Sequence, residues 1–247
     1  MRLALSLAFW LFMGLSSLVA YPLAVLIWAL TAPIDPRRVL LHRFTCLWGS
    51  LYTWANPAWH VELHGRERIR PDETYVMVSN HLSLLDILVI SRLRTHFKWV
   101  SKVENFRIPL IGWNMSLNRY IKLARGRHAS AMAMMRECEE ALAQGNSIMM
   151  FPEGTRSPDG RLRPFKTGAF DLAKSTRSTI LPIALSGTAD ALPKRGFVLR
   201  GRHEIRLSVL EAIPWTEFAE LSTAELMRRV HERIAAQVAS GQKTVAA

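Results

Sequence analysis

The chain has 247 residues, of which 32 are Lys or Arg and 20 are Asp or Glu, so its formal net charge is +12 with neutral histidines. A hydrophobic content of 49% with 21% charged residues excludes a disordered chain, and the length excludes a large multidomain enzyme. The two isolated cysteines, Cys46 and Cys138, exclude both a disulfide framework and a cysteine-rich zinc site.

Residues 3–34 contain no Asp, Glu, Lys, Arg or His, and they predict a hydrophobic, membrane-anchoring helical segment. A straight helix of this length would measure about 48 Å, against about 30 Å of bilayer hydrocarbon. The segment is therefore either one strongly tilted helix or two helices broken near Tyr21 and Pro22, and the proline favours the broken, hairpin-like form. A cleaved signal peptide is the alternative, but the apolar run continues well beyond Ala20.

The next stretch, residues 37–60, has apolar residues at helical spacing and basic side chains on the rest of the helix surface. Trp48, Trp54 and Trp59 follow the apolar segment closely, and indole rings prefer the membrane–water interface. Two interpretations stay open, an interfacial amphipathic helix or a helix packed on a globular domain. The anchor and this helix together make up residues 1–59, and residues 60–247 make up the predicted α/β domain.

Beyond residue 60, short apolar runs alternate with helical patterns, which predicts a single α/β domain with a mixed central sheet flanked by helices. In open α/β sheets ligands bind at the carboxyl ends of strands, so polar residues that follow the strands are the candidate site. The predicted strands are residues 61–63, 75–79, 98–101, 120–123, 147–151, 179–185, 197–199 and 204–209. The predicted helices are residues 84–93, 127–143, 167–175 and 223–239.

The first candidate site is the sequence NHLSLLD, residues 80–86, which follows the strand at 75–79. On one continuous helix His81 and Asp86 would lie about 140° apart and could not meet. If His81 instead ends the strand and Ser83 caps a helix, Asp86 falls in the first turn and can reach one imidazole nitrogen. The other nitrogen would then accept a proton from a hydroxyl group. Alternatively, Ser83 and Asp86 form only a capping box, and His81 is a structural histidine.

The second candidate site is the sequence PEGTRS, residues 152–157, which follows the strand at 147–151. Gly154 permits a close backbone approach, and the planar guanidinium of Arg156 suits a phosphate group. Glu153 can orient the arginine or accept a hydrogen bond from a substrate hydroxyl. The alternative is a tight turn with a solvated arginine, so each motif taken alone is ambiguous.

Four sequence blocks in this order resemble the glycerolipid acyltransferase family. A His and an Asp separated by four residues match His81 and Asp86, and the block EGTRS is matched in full by residues 153–157. A block that ends in arginine is similar to residues 108–125, although an alanine stands where an acidic residue often precedes that arginine. A strand with an internal proline is similar to residues 181–187.

The resemblance implies transfer of an acyl chain from coenzyme A or acyl carrier protein to the free sn-2 hydroxyl of lysophosphatidic acid. In such a mechanism His81 is the general base, and Asp86 fixes its tautomer as in a hydrolase triad. Two arginines are expected to bind the phosphate of the acceptor. The substrate-binding positions that the resemblance implies are Arg125, Glu153, Gly154, Thr155 and Arg156.

The resemblance also implies the cofactors, the partners and the cellular location of the enzyme. No metal or other cofactor is expected, because the acyl thioester is itself a substrate. The expected partners are a lysophospholipid, the thioester, membrane lipid and, as a donor, acyl carrier protein. The expected location is the bacterial inner membrane with the active site on the cytoplasmic face, because Arg2 precedes the apolar segment and Arg37, Arg38 and Arg43 follow it.

Two alternatives stay open. The acceptor could be another lysolipid, such as lyso-ornithine lipid or a lysophospholipid with a larger headgroup. The chain could also be a nonenzymatic basic protein that binds anionic membrane or nucleic acid, which a net charge of +12 permits. Nucleic acid is not expected as a partner, because neither an aromatic stacking platform nor a reading helix accompanies the basic residues.

Overall fold

The computed structural model describes residues 2–124, 126, 128–194 and 197–245, with the backbone alone described for residues 242–245. Its strands are β1 (Trp59–His64), β2 (Tyr75–Ser79), β3 (Phe97–Lys102), β4 (Ile121–Leu123), β5 (Ser147–Met150), β6 (Thr179–Ser186) and β7 (His203–Val209). They form one seven-stranded sheet in the order β1-β7-β6-β2-β5-β3-β4. β6 and β7 are antiparallel and every other neighbouring pair is parallel, which confirms the predicted mixed sheet.

Helices cover both faces of this sheet. The helices are α1 (Arg2–Thr31), α2 (Val39–Trp54), α3 (Leu85–Ser91), α4 (Ile111–Leu117), α5 (His128–Ala143), α6 (Gly168–Thr176), α7 (Thr188–Ala191) and α8 (Thr223–Val245). Side chains of α2 and α3 join the core on one face, and side chains of α5, α6 and α8 join the core on the other. α1 lies against α2 and α4.

The central strand β2 presents apolar side chains on both faces because the sheet lies between two hydrophobic cores. All five of its residues are buried. Tyr75 and Met77 face the core that contains α2 and α3, whereas Val76 and Val78 face the core that contains α5, α6 and α8. Successive side chains of a strand point to opposite faces, so a strand covered on both sides is apolar throughout. The ends of such a strand are the first places where polar side chains can stand.

One predicted strand is wrong, and one helix of the structure was not predicted. Residues 197–199 are not a strand, because their backbone groups bond to α1 instead of to a neighbouring strand. The indole Nε1 of Trp10 donates to the carbonyl oxygen of Phe197 at 2.6 Å, and the backbone N–H of Leu199 donates to the hydroxyl of Ser6 at 2.9 Å. The sequence pattern also gives no sign of α4, whose seven residues are too few for a helical period to stand out.

The prediction of a broken hairpin in the apolar segment is wrong as well. α1 is one continuous helix that contains Pro22, and it is long and apolar enough to cross a membrane by length and composition. Proline removes only one backbone donor, and packing of the turns before it supports the helix. Tyr52 of α2 bonds to the hydroxyl of Ser16 at 3.0 Å, and the ring of Tyr21 lies 5.6 Å from that of Trp113 in α4.

α2 bears on the two interpretations of residues 37–60. Trp48 and Tyr52 are buried in the core of the α/β domain, which confirms the packed alternative. A second apolar row on the same helix is exposed, so the interfacial alternative stays a prediction for that row. That row consists of Leu40, Leu47, Leu51 and Trp54. The proposed domain boundary between residues 59 and 60 stays a prediction.

Asn80 fastens the end of β2 to β6 immediately before His81. Its side chain is fully buried, its Nδ2 donates to the carbonyl oxygen of Leu185 at 2.9 Å, and its Oδ1 accepts the N–H of the same residue at 2.8 Å. Both backbone groups of Leu185 therefore depend on one side chain. A buried backbone group without a partner is costly, so this pair of bonds fixes where the chain leaves the sheet.

We expect Asn80→Ala to lower the free energy of unfolding by about 2–4 kcal/mol, because it leaves a buried donor and a buried acceptor of Leu185 without partners. Denaturant titration of the protein in detergent measures this loss. The matched control is Asn105→Ala, which removes an exposed bond to Ser101 and should change stability by less than about 0.5 kcal/mol. Equal losses in the two variants would contradict the assignment.

Candidate active site

Three loops that follow neighbouring strands meet at one edge of the sheet. β2 pairs in parallel with β5 on one side and with β6 on the other. Their carboxyl ends therefore point the same way, as expected for a ligand site in an open α/β sheet. His81 follows β2, Glu153 follows β5, and Thr188 follows β6.

His81 and Asp86 are in direct contact. His81 lies in an extended loop after β2, and Asp86 lies in the first turn of α3. The Nδ1 atom of His81 is 2.8 Å from the Oδ2 atom of Asp86. The Asp86 side chain is fully buried, and that of His81 is 15% exposed. A carboxylate only accepts hydrogen bonds, so Nδ1 carries the proton and Nε2 presents a lone pair.

The same carboxylate also orders the loop between the two residues. Oδ2 of Asp86 accepts the backbone N–H groups of Leu82 at 2.6 Å and Ser83 at 2.8 Å. The bond from the N–H of Ser83 resembles the carboxylate half of a capping box, but Ser83 lies one residue before the N-cap. Ser83 is not the helix cap as predicted: Leu84 occupies the N-cap position, and the Ser83 hydroxyl donates to the carbonyl oxygen of Leu192 at 2.5 Å.

Thr188 is a further member of this group, and the sequence analysis missed it. Its hydroxyl donates to Oδ1 of Asp86 at 2.5 Å, and both side chains are fully buried. Thr188 is the first residue of α7, directly after Gly187, whose φ of 82° turns the chain back from β6. A threonine about 100 positions from its partner belongs to no local motif. Its place after a strand that neighbours β2 is the only signal that could have indicated it.

The loop that follows β5 forms two hydrogen bonds with the backbone of His81. Oε1 of Glu153 accepts the backbone N–H of His81 at 2.8 Å, and the N–H of Ser157 donates to the His81 carbonyl oxygen at 2.8 Å. The ring of Phe151 stacks on the imidazole with centroids 3.9 Å apart and an interplanar angle of 11°. Neither the backbone nor the ring of His81 is free to turn. The imidazole is therefore held in one orientation.

Glu153 itself stands in an unusual environment for a carboxyl group. Its side chain is buried, and Oε2 has no hydrogen-bond partner among the described residues. Burial raises the pKa of Glu153 to about 7, a rise that the hydrogen bond from the His81 N–H only partly offsets. Glu153 is therefore partly protonated near neutral pH, and its first role is to position His81.

The predicted substrate-binding residues after Glu153 form a turn beside His81. Gly154 has a φ of 70°, and a side chain there would press against the aliphatic end of Lys166. Thr155 and Arg156 are half-buried. Arg156 donates to the carbonyl oxygen of Lys194 at 3.4 Å, and it makes no ion pair with an acidic side chain in the described part of the chain. Its guanidinium is therefore available to an anion.

Arg125, the other predicted phosphate-binding residue, lies outside the described residues. Its role stays a prediction.

An apolar cavity of about 440 Å³ opens beside His81. His81 and Gly154 form part of its wall, and the rest comes mainly from apolar side chains of α1, α2, α3 and β3. Among these are Met13, Trp48, Leu88 and Trp99. A cavity of this size and lining takes up apolar ligands, with the polar groups at one end fixing their orientation.

Comparisons with known proteins agree with this architecture. The sequence model of the acyltransferase family matches residues 60–186. A 1-acyl-sn-glycerol-3-phosphate acyltransferase of Chlamydomonas reinhardtii is 39% identical over 64% of this chain and 47% of its own length. A chloroplastic enzyme of the same name from Brassica napus is 33% identical over 92% of this chain and 65% of its own length. The chain thus spans about half to two thirds of the length of these two relatives.

A solved structure shares the fold. The crystal structure of the 1-acyl-sn-glycerophosphate acyltransferase of Thermotoga maritima matches with a TM-score of 0.79 and 24% sequence identity, over 98% of each chain. This likeness concerns the arrangement of the elements. The family match, in contrast, rests on the sequence and covers half of the chain, from β1 to β6. The chain therefore belongs to the acyltransferase family.

Proposed function

We propose that this protein transfers an acyl chain from a thioester of coenzyme A or acyl carrier protein to the sn-2 hydroxyl of lysophosphatidic acid. The observation that carries the proposal is the buried contact of Asp86 with Nδ1 of His81, which lines an apolar cavity and whose backbone bonds to the turn that carries Arg156. This arrangement offers a base, an anion-binding group and a place for an acyl chain. The names of the curated relatives support the same reaction.

The proposed chemistry needs one proton carrier. Nε2 of His81 takes the proton of the acceptor hydroxyl while the hydroxyl oxygen forms a bond to the carbonyl carbon of the thioester. The carbon–sulfur bond then breaks, and the imidazolium returns the proton to the leaving thiolate. Asp86 stabilises the imidazolium without itself taking a proton. No serine nucleophile takes part, since the Ser83 hydroxyl is already bonded to the carbonyl of Leu192.

The proposed acceptor site uses the turn after β5. Arg156 binds the phosphate, because a guanidinium offers paired donors to phosphate oxygens and no acidic side chain competes for it in the described part of the chain. Glu153, Gly154 and Thr155 shape the space for the glycerol, and Arg125 is proposed as the second phosphate ligand. An acceptor without a phosphate monoester would offer the guanidinium of Arg156 no phosphate oxygens to bind.

The proposed location is the cytoplasmic leaflet of the bacterial inner membrane. Contacts with the domain run along α1 from Ser6 to Tyr21, a length of about 22 Å along the helix axis. A helix with contacts over that length runs along the surface of the domain and does not project from it. Its exposed leucines and the exposed row of α2 would then enter one leaflet together, with the active site facing the cytoplasm.

The central test is acyl transfer by the purified protein in detergent, with lysophosphatidic acid and acyl-coenzyme A as substrates and phosphatidic acid as the product measured. We expect His81→Ala to lower turnover by about 10²–10⁴-fold, the range of general base catalysis. The control is His64→Ala, which removes an exposed histidine on β1. Unchanged turnover in His81→Ala would contradict the proposed base. Faster transfer to lyso-ornithine lipid than to lysophosphatidic acid would contradict the proposed acceptor.

Thr188 gives a second prediction. We expect Thr188→Val to lower kcat by about 10- to 100-fold with little change in KM, because a hydrogen bond to a charged group contributes about 1.5–3 kcal/mol to holding Asp86 in place. Thr188→Ser keeps the hydroxyl and should restore most of the activity. The measurement is steady-state kinetics of both variants, with thermal unfolding as a check on folding. Equal activity in the two variants would show that the hydroxyl is not needed.

Glu153 gives a prediction about pH. The pKa of Glu153 is raised from 4.5 to about 7, so between these pH values the folded state binds a proton that the unfolded state has lost. This contribution to stability is full below pH 4.5 and is lost as pH rises to about 7, by up to about 3 kcal/mol. Glu153→Gln keeps an acceptor for the His81 N–H but cannot ionise. We therefore expect the difference in melting temperature, wild type minus variant, to fall as pH rises from 5 to 8. Parallel profiles would contradict the raised pKa.

A further inference from the structure

The segment that joins α7 to β7 exposes large apolar side chains. This α7–β7 segment comprises residues 192–202, of which 195 and 196 lie outside the described residues. Phe197 is 71% exposed and Val198 is 42% exposed. Neither residue belongs to a strand or helix, so secondary structure does not require them to be apolar. Adjacent exposed apolar residues of this size mark a surface that meets another apolar phase.

The segment is fastened to the apolar helix α1. Trp10 donates its indole N–H to the carbonyl oxygen of Phe197 at 2.6 Å, and the two rings meet edge to face with centroids 5.8 Å apart. The N–H of Leu199 donates to the hydroxyl of Ser6 at 2.9 Å. Leu7 and Leu11, in the same part of α1, are each more than half exposed. The tip of the segment therefore contacts α1 in the same turns that expose Leu7 and Leu11.

Basic residues stand next to this surface. Arg200 and Arg202 follow the tip and are exposed, and Lys194 precedes it. An apolar tip with flanking cations matches an anionic lipid surface, where acyl chains lie below negatively charged headgroups. A water-soluble partner would not need an apolar tip that continues into a helix of the composition of α1.

The other end of the segment reaches the active site. The carbonyl oxygen of Leu192 accepts the hydroxyl of Ser83, two residues from His81. The carbonyl oxygen of Lys194 accepts a hydrogen bond from the guanidinium of Arg156. The Nζ atom of Lys194 in turn donates to the carbonyl oxygen of Arg156 at 2.6 Å. One short segment thus connects α1 to both loops that carry the proposed catalytic and phosphate-binding residues.

We propose that Phe197 and Val198 insert into the acyl region of the anionic lipid leaflet that holds α1, and that the α7–β7 segment thereby sets the position of the active site at the lipid surface. This inference rests on the membrane placement given under the proposed function. It adds a second insertion point, separate in sequence from the amino-terminal helix. It also gives the exposed Arg200 and Arg202 a binding partner of defined chemistry, the anionic headgroup.

The test uses the full chain with one added cysteine as a site for an environment-sensitive fluorophore. The native thiols do not interfere, because Cys46 and Cys138 are buried and burial raises the pKa of each to about 12. The labelled variants are Phe197→Cys, Leu11→Cys in α1 and Met132→Cys in α5. Met132 is 52% exposed and lies on a helix that covers the other face of the sheet, so it is the matched control.

The probe is a vesicle of phosphatidylcholine with phosphatidylglycerol, with and without a nitroxide on the acyl chain. We expect labels at 197 and 11 to shift to the blue and to be quenched by the nitroxide, and the label at 132 to do neither. A response at 11 without one at 197 would overturn this inference alone. No response at either position would overturn the membrane placement as well. A blue shift at 197 that depends on protein concentration without vesicles would assign the tip to a second copy of the chain.

A kinetic measurement tests the consequence for the active site. We expect the double variant Phe197→Ser with Val198→Ser to raise the apparent KM for lysophosphatidic acid in vesicles by about tenfold. The reason is that the variant buries less apolar surface in the lipid and therefore binds the vesicle more weakly. The rate with the acceptor dispersed in detergent should stay within twofold of the wild type, and Met132→Ser should change neither value. An unchanged KM in vesicles would overturn the positioning role.

Discussion

A single buried carboxylate organises the candidate site. Asp86 accepts hydrogen bonds from the ring of His81, from the backbone of Leu82 and Ser83, and from the hydroxyl of Thr188. A buried charge is stable only when such donors compensate for the loss of water, and here they also fix its orientation. Because one oxygen serves the loop and the imidazole together, the loop cannot change shape without moving the proposed base. The remaining geometry of the site follows from this constraint.

The sheet brings further hydrogen-bond partners of His81 and Asp86 together from distant parts of the chain. β2 is flanked by parallel strands on both sides, so the loops after β5 and β6 end next to the loop after β2. Glu153 then holds the backbone of His81 from one side, and Thr188 holds Asp86 from the other. Asn80 fixes the point at which the chain leaves the sheet. The base is therefore positioned by rigid strands and not by its own flexible loop.

The sequence was informative where structure is local or periodic. Strand β2 could be predicted because a strand buried on both faces is apolar throughout. Helix geometry allowed the approach of Asp86 to His81 as one of two alternatives, and the other was a capping box. Thr188 could not be predicted, because its partner is distant in sequence and only the strand order brings them together. Pro22 and residues 197–199 depart from the sequence predictions for a related reason: tertiary contacts with α1, α2 and α4 override a local proline signal and a short apolar run. The role of Arg125 stays a prediction.

The protonation of His81 is the most direct test of this account. Nitrogen-15 NMR of protein labelled in its histidine rings distinguishes a proton on Nδ1 from one on Nε2, and the loss of one signal set in His81→Gln assigns the resonances. We expect the neutral imidazole to carry its proton on Nδ1, a preference that weakens in Asp86→Asn. A proton on Nε2, or rapid exchange between the two forms in the wild-type protein, would contradict the claim that Asp86 prepares His81 to act as a base.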